Sequence, residues 1–156
     1  MGTPDRLGPL IPQRLTVVTL GARDPERLRA FYKGLGWTTA FEVEGDVCVF
    51  ETSGAVLSLF PLERLAADGN TSVAACGKGM RGLTLAINVE TPELVDETIG
   101  AVREAGGSIT KEPVNTDWGG RSAYFTDPEE NYWEVVWVPP DSAMSAAIER
   151  AGGFRR

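Results

Sequence analysis

The chain repeats one pattern of secondary-structure signals at a distance of 67 residues. A capping side chain, a proline and an acid stand together at Asp24-Pro25-Glu26 and again at Thr91-Pro92-Glu93, a combination typical of helix starts. Apolar residues follow each start at i, i+4 and i+7, the spacing of one helix face. These matching positions are Leu28, Tyr32 and Leu35 in the first copy, and Val95, Ile99 and Val102 in the second. The sequence therefore predicts two copies of one structural unit.

The strand-like segments obey the same repeat. A run rich in β-branched residues precedes each helix, and three short runs separated by turn residues follow it. These runs lie at 15–22, 38–43, 47–52 and 56–60 in the first half, and at 82–89, 108–111, 121–126 and 132–138 in the second. Each half reads β-α-β-β-β. The predicted fold class is therefore α+β, with a helix covering one face of each four-stranded sheet and the other face left for a partner or a ligand.

A chain of 156 residues is long enough for one domain with a substantial core and short for two. A cap at Asp141-Ser142, followed by an apolar stripe of Met144, Ala147 and Ile148, predicts a last short helix. The expected organisation is a flexible tail at 1–12, a single domain at 13–139 (module 1 at 13–61, linker at 62–81, module 2 at 82–139), and a C-terminal helix and tail at 140–156.

Composition excludes several classes of function. The net charge of −7 argues against nucleic acid as a partner, because a basic surface supplies most of that affinity. The absence of histidine excludes a Ser-His-Asp triad and removes the commonest transition-metal ligand. No apolar run is long enough to cross a membrane and no signal peptide is recognisable, so a cytoplasmic protein without a membrane partner is expected. Cys48 and Cys76 lie in dissimilar contexts and are expected to be free thiols.

Two segments resemble motifs of the vicinal oxygen chelate superfamily, which contains glyoxalases, bleomycin-resistance proteins and extradiol dioxygenases. They are RDPERLRAFYKGLGW, from Arg23 to Trp37, and YFTDPEENYWEVVW, from Tyr124 to Trp137. The resemblance implies two βαβββ modules that form a curved, cup-like mixed sheet with helices on its outer face. It does not select an activity, because lyases, dioxygenases and drug-binding proteins share the fold. The usual glycine of the last hairpin is Glu130 here, and Asn131 is expected to supply the positive φ instead.

The same resemblance places the superfamily's metal-ligating positions at Val17, Ser58, Thr84 and Glu134. Only Glu134 is a competent ligand, whereas catalytic metal sites usually take three ligands from the protein. The resemblance thus implies a protein with no cofactor, in which a divalent metal is disfavoured.

Strand alternation around an inward-facing Glu134 defines a mixed apolar and polar concave face. Trp118, in a loop at 112–120 expected to arch over this face, could stack on a planar ligand or cap the edge of the core. Glu134 could act as an acid–base group, anchor a ligand, or be a relic of a metal site satisfied by its neighbours. Trp37, Trp133 and Trp137 are expected to pack in the core. The predicted ligand-binding residues are Val17, Thr19, Ser58, Phe60, Thr84, Asn88, Trp118, Tyr132 and Glu134, and Glu134 is also the candidate catalytic residue.

The favoured function is metal-independent binding of a small molecule, in which a drug-like or aromatic ligand is sequestered in the cup as in bleomycin-resistance proteins. One alternative is a glyoxalase-like lyase or dioxygenase with an unconventional metal site, built from Glu134 with Glu42 or Glu51. Another is a metal-free enzyme that uses Glu134 as its acid or base. The resemblance also implies a homodimer with twofold symmetry.

Overall fold

The computed structural model describes residues 13, 15–77 and 79–154. The predicted tail at 1–12 lies outside the described residues. Within them the chain forms two mixed four-stranded sheets and four α-helices. The predicted α+β fold with two βαβββ modules is confirmed.

The first sheet has the strand order β1-β4-β3-β2. β1 pairs in parallel with β4, and the other two pairings are antiparallel. Helix α1 connects β1 to β2. The elements are β1 (Val17–Ala22), α1 (Pro25–Gly34), β2 (Thr39–Glu42), β3 (Cys48–Phe50) and β4 (Val56–Pro61).

The second sheet has the equivalent order β5-β8-β7-β6. Its outer strand β5 again pairs in parallel with the last strand, β8, and the remaining pairings are antiparallel. Helix α2 (Leu62–Asp68) lies in the connection between the two sheets, and α4 (Ala143–Arg150) follows the second. The other elements are β5 (Leu85–Asn88), α3 (Pro92–Glu104), β6 (Ser108–Asn115), β7 (Arg121–Thr126) and β8 (Tyr132–Trp137).

The repeated helix starts form as the sequence predicts. The Asp24 side chain accepts a hydrogen bond from the backbone N of Arg27 at 3.1 Å, and Thr91 Oγ1 accepts one from the backbone N of Leu94 at 3.4 Å. Each cap satisfies a donor that the first helical turn leaves without a partner. The two helices therefore begin at equivalent points of the repeat.

A single apolar core joins the two modules. The stripe of α3 is fully buried at Val95, Ile99 and Val102, and Leu28 and Tyr32 are buried at the matching positions of α1. Complete burial of each aliphatic side chain contributes about 1.5–3 kcal/mol. This shared core fixes the helix-facing side of both sheets.

A buried polar network crosses between the modules within this core. Tyr32 Oη donates a hydrogen bond to Asp127 Oδ2 at 2.6 Å and accepts one from Trp133 Nε1 at 3.0 Å. Burial, reinforced by the neighbouring Asp127 carboxylate, raises the pKa of Tyr32 well above its usual value. Helix α1 is thereby attached to strand β8 and to the turn that precedes it.

Two local predictions in the second module are wrong. Strand β6 continues to Asn115 instead of ending at Lys111, which shortens the following loop to 116–120. The positive φ of the β7–β8 turn, +63°, is at Glu130 itself. Asn131 does not have a positive φ; it is buried, and its backbone N and its side chain both donate hydrogen bonds to Asp127.

The predicted apolar stripe of α4 is also wrong. Ser145 is the buried residue of this helix, whereas Met144 is 60% exposed. The helix start is as expected, because Ser142 Oγ accepts a hydrogen bond from the backbone N of Ser145 at 3.1 Å. Both cysteines are free, as predicted.

Candidate functional site

Each sheet has one face turned away from the helices, which we call the open face. On the first sheet Val17 and Thr19 of β1 are exposed on this face, and Ser58 of β4 lies beside Thr19 in register. Ser58 is nevertheless buried, with 7% of its surface exposed. The side chain of Phe60 is half-buried, and the Arg64 guanidinium lies 4.9 Å from its ring centre.

On the second sheet Glu134 lies in register between Ala86 of β5 and Tyr124 of β7. Tyr124 is the cross-strand partner of Glu134, and burial together with that carboxylate raises the pKa of Tyr124. The ammonium group of Lys111 lies 5.6 Å from the centre of the Tyr124 ring. The open face of this sheet therefore carries three polar side chains in a row across neighbouring strands, Lys111, Tyr124 and Glu134. Sequence reasoning identified only Glu134 among them.

The remaining predicted site residues are dispersed. Thr84 is exposed and precedes the first residue of β5, Asn88 is the last residue of that strand, and Tyr132 is the first residue of β8. Trp118 is 55% exposed, and its indole ring rests on the backbone of Gly120. A Cβ atom at position 120 would collide with that ring, so the ring packs directly on this glycine.

A cavity with a volume of about 670 Å³ lies where the two modules meet. We call it the seam cavity. One wall comes from the first module, including Trp37 and the start of β4, and the opposite wall comes from β5 and Trp133. Its lining residues are Leu15, Val18, Trp37, Thr38, Glu51, Thr52, Ser53, Ala55, Val56, Leu57, Leu85, Ala86, Ile87, Asn88, Glu90, Trp133, Gly153 and Phe154.

Aromatic and aliphatic side chains make most of the seam cavity's surface. The rings of Trp37 and Trp133 meet edge to face, with centres 5.7 Å apart and an interplanar angle of 83°. Trp133 is held in place by its hydrogen bond to Tyr32. Both tryptophans pack in the core as predicted, and both also contribute to the cavity wall.

Two carboxylates, Glu51 and Glu90, lie on the rim of the seam cavity, and both side chains are exposed. Neither makes a hydrogen bond or ion pair with another residue that the structure describes. None of the described lining residues is a lysine or arginine. The described lining residues therefore carry negative charges on the rim without a positive charge beside them, an arrangement that favours a cationic group.

A family model matches residues 14–135, described as the Glyoxalase/Bleomycin resistance protein/Dioxygenase superfamily. The chain belongs to this superfamily. No curated protein matches the sequence. The superfamily resemblance of the two sequence motifs is thus confirmed over most of the chain.

Solved structures of the superfamily share the fold. A glyoxalase-related enzyme from Fulvimarina pelagi matches with 28% identity and a TM-score of 0.73, over 82% of this chain and 90% of that one. A superfamily enzyme from Burkholderia phytofirmans PsJN matches with 22% identity and a TM-score of 0.72, over 81% and 99%. Lactoylglutathione lyase from Agrobacterium tumefaciens matches with 21% identity and a TM-score of 0.63, over 81% and 94%. The last two likenesses, at this identity, show the fold alone.

The side chains present do not fit the superfamily's metal. Glu134 is the one carboxylate among the four positions that the motifs assign to metal ligands. Glu42, suggested as a supplementary ligand, is ion-paired instead to Lys33 of α1 at 3.0 Å, and that contact lowers the pKa of Glu42. Within the described residues no three His, Cys, Asp or Glu side chains are grouped so that they could hold a metal ion.

Asn88 is the one predicted site residue that lines the seam cavity. Sequence reasoning missed Glu90 and Ala55, and it named Glu51 only as a supplementary metal ligand, because it looked for ligands on the open faces. A usable signal was present in the repeat: Glu51 stands six residues before Leu57, as Asp127 of the second motif stands six before Trp133. The roles assigned to the nine predicted residues stay predictions.

No helix in the described part of the chain is long and apolar enough to cross a membrane.

Proposed function

We propose that this protein binds a small aromatic molecule carrying a cationic group, in the seam cavity and without a metal ion. Such a protein would sequester its ligand unchanged. The observation that carries the proposal is the seam cavity itself, which has two tryptophans in its walls and, on its rim, two carboxylates that pair with none of the described side chains.

The cavity's size and chemistry support this choice of ligand. Its volume of about 670 Å³ lies within the range of about 300–1,000 Å³ usual for small-molecule sites. Apolar walls favour binding of a flat hydrophobic ligand, and tryptophan is the aromatic side chain that attracts cations most strongly. The carboxylates of Glu51 and Glu90 would then select a cation over an anion of the same shape.

Three ligands of nearly equal shape test the proposal: 1-naphthylmethylamine, 1-naphthylmethanol and 1-naphthoate. Isothermal titration in the presence of EDTA should give the tightest binding for the amine and the weakest for the carboxylate. Replacement Glu51→Gln should weaken binding of the amine about 3- to 10-fold, equivalent to about 0.7–1.4 kcal/mol, and leave binding of the alcohol unchanged.

Glu97→Gln is the matched control, because Glu97 is exposed on α3 and does not line the seam cavity. It removes the same charge and should leave all three affinities as they are. Equal affinity for the three compounds would contradict the charge preference. Absence of binding at millimolar concentrations would contradict the proposed function.

Metal-free acid–base catalysis at Glu134 is the second candidate, favoured by the cross-strand position of Tyr124 beside Glu134 and by the raised pKa of Tyr124 that this carboxylate and burial produce. The hydroxyl and carboxylate share the open face of the second sheet and could transfer a proton to or from a bound molecule. A compound turned over by the native protein, bound but not turned over by Glu134→Gln, would establish this activity. Homodimerisation stays a prediction, which analytical ultracentrifugation would check.

A further inference from the structure

One wall of the seam cavity comes from a part of the chain beyond the superfamily match. That match ends at residue 135, whereas Gly153 and Phe154 both line the cavity. Phe154 is half-buried and adds a third aromatic side chain to those of Trp37 and Trp133. The shape of the cavity therefore depends on a segment that the matched region does not contain.

The end of α4 places this segment through a defined backbone motif. The backbone N of Gly153 donates a hydrogen bond to the Ile148 carbonyl at 2.9 Å, and the backbone N of Gly152 donates one to the Glu149 carbonyl at 2.9 Å. Gly152 has a φ of +82°. This pair of bonds around a left-handed residue is a Schellman motif, which reverses the chain at a helix end.

Two further features hold the turn. A Cβ atom at Gly153 would collide with the Ile148 side chain, so the chain passes close over the last turn of α4. Helix α4 is itself anchored, since Ser145 is 4% exposed and Ser142 caps the helix start. Phe154 follows immediately after this fixed turn, and its position is set by α4.

We propose that Phe154 is a specificity-determining residue, whose ring limits the size of the aromatic ligand in the seam cavity. This inference rests on the proposed function. A shorter side chain at position 154 would extend the cavity and admit a larger ring system. A larger side chain there would exclude ligands that the native protein accepts.

A series of amines with one, two and three fused rings tests the inference: benzylamine, 1-naphthylmethylamine and 9-anthracenylmethylamine. All three carry the same aminomethyl group, so their affinities differ through ring size. Isothermal titration would compare the native protein with Phe154→Ala, Phe154→Leu and Phe154→Trp. Phe154→Ala should shift the ratio of anthracenyl to benzyl affinity at least tenfold toward the larger ligand, Phe154→Leu by less, and Phe154→Trp in the opposite direction.

Met144→Ala is the control, because Met144 is 60% exposed on the same helix and does not line the seam cavity. It should leave the affinity ratio unchanged, and circular dichroism should show the native spectrum for every variant. An unchanged ratio in all three Phe154 variants, with naphthyl binding retained, would overturn this inference alone. Failure of the native protein and every variant to bind any of the amines would overturn it together with the proposed function. Binding of the anthracenyl amine by Phe154→Ala but not by the native protein would support it.

Discussion

The turn between β3 and β4 and the turn between β7 and β8 are equivalent parts of the two modules, yet they have different tasks. Each contains a residue with positive φ three positions before a helix-facing residue: Gly54, at +116°, precedes Leu57, and Glu130, at +63°, precedes Trp133. Each turn also faces the outer strand of the other module. The two turns share a backbone conformation, and their side chains determine whether each one packs into the core or borders a cavity.

The β7–β8 turn is tied into the core. The buried carboxylate of Asp127 accepts hydrogen bonds from Tyr32 Oη at 2.6 Å and from the backbone N of Asn131 at 3.0 Å. Arg81 donates a hydrogen bond to Asn131 Oδ1 at 2.8 Å. These side chains occupy the space beside β1, and the groove that remains there has a volume of about 130 Å³.

The β3–β4 turn leaves its side of the seam open. Glu51, the counterpart of Asp127, is exposed, and the residue matching Tyr32 in the other helix is Ile99, which has no hydroxyl to donate. Ala55 stands where the other turn has Asn131, and the cavity here is about 670 Å³. The repeat thus yields one turn that stabilises the fold and one that borders a cavity.

The largest effect on stability should come from replacing Asp127, the buried acceptor in the β7–β8 turn. Asp127→Ala would leave the Tyr32 hydroxyl and the Asn131 amide buried without their acceptor, and should lower the free energy of unfolding by about 2–4 kcal/mol. Urea denaturation measures this. Glu51→Ala is the matched change in the other turn and should stay within about 0.5 kcal/mol of the native protein. Equal losses in the two variants would remove the distinction between the turns.

Tyr32→Phe tests the hydrogen bond from α1 to Asp127 in the β7–β8 turn. It should lower the free energy of unfolding by about 1–2 kcal/mol at neutral pH. Because the folded-state pKa of Tyr32 is raised by burial and by Asp127, its hydroxyl contributes fully below the unfolded pKa of about 10. The contribution is lost as the pH rises above that value, since the unfolded chain then releases the proton first. Urea titrations between neutral and alkaline pH should show a shallower alkaline loss for Tyr32→Phe. Parallel pH curves would contradict this role.

Ala55→Leu tests whether the β3–β4 turn borders the ligand site. The larger side chain would fill part of the seam cavity and should weaken binding of 1-naphthylmethylamine at least tenfold, about 1.4 kcal/mol. The unfolding free energy should change little, because the added methyl groups enter empty space. Isothermal titration and urea denaturation of the same sample separate the two effects. Unaltered affinity would place the ligand elsewhere.

The smallest effect concerns the surface of the second module. Arg121 of β7 binds Asp96 of α3 through two hydrogen bonds of 2.7 Å each, and the pKa of Asp96 is lowered by this contact. Asp96→Asn should cost about 0.2–1 kcal/mol, the usual range for exposed pairs. The difference from the native protein should be present at neutral pH and disappear as the pH falls through the folded-state pKa of Asp96. A difference that persists in acid would point to a cause other than the ion pair.

The fold was predictable because the repeat appears in local signals. Caps, helix stripes and short β-branched runs specify each module, and strand alternation correctly separated the helix-facing Trp133 and Val135 from Glu134. The α4 stripe was wrong because Met144 is apolar but exposed, and in a short terminal helix hydrophobicity does not identify the packed face.

The seam cavity was not predictable in the same way. Its walls come from the outer strands of different modules, from a turn, and from Phe154, which are far apart in sequence. Local periodicity assigns a residue to one face of its own sheet and carries no information on how two sheets meet. The sequence shows a glutamate, Glu51, where the second module has an aspartate, Asp127. That the first is exposed and the second buried depends on the residues around each turn, which are distant in sequence.

Titration of 1-naphthylmethylamine into the native protein in EDTA measures whether the seam cavity binds a cationic aromatic molecule without metal. We expect saturable binding of one ligand per chain, with a Kd of about 100 µM or below and a weaker affinity in Ala55→Leu. Heat of dilution alone, or binding that needs an added divalent ion, would contradict it.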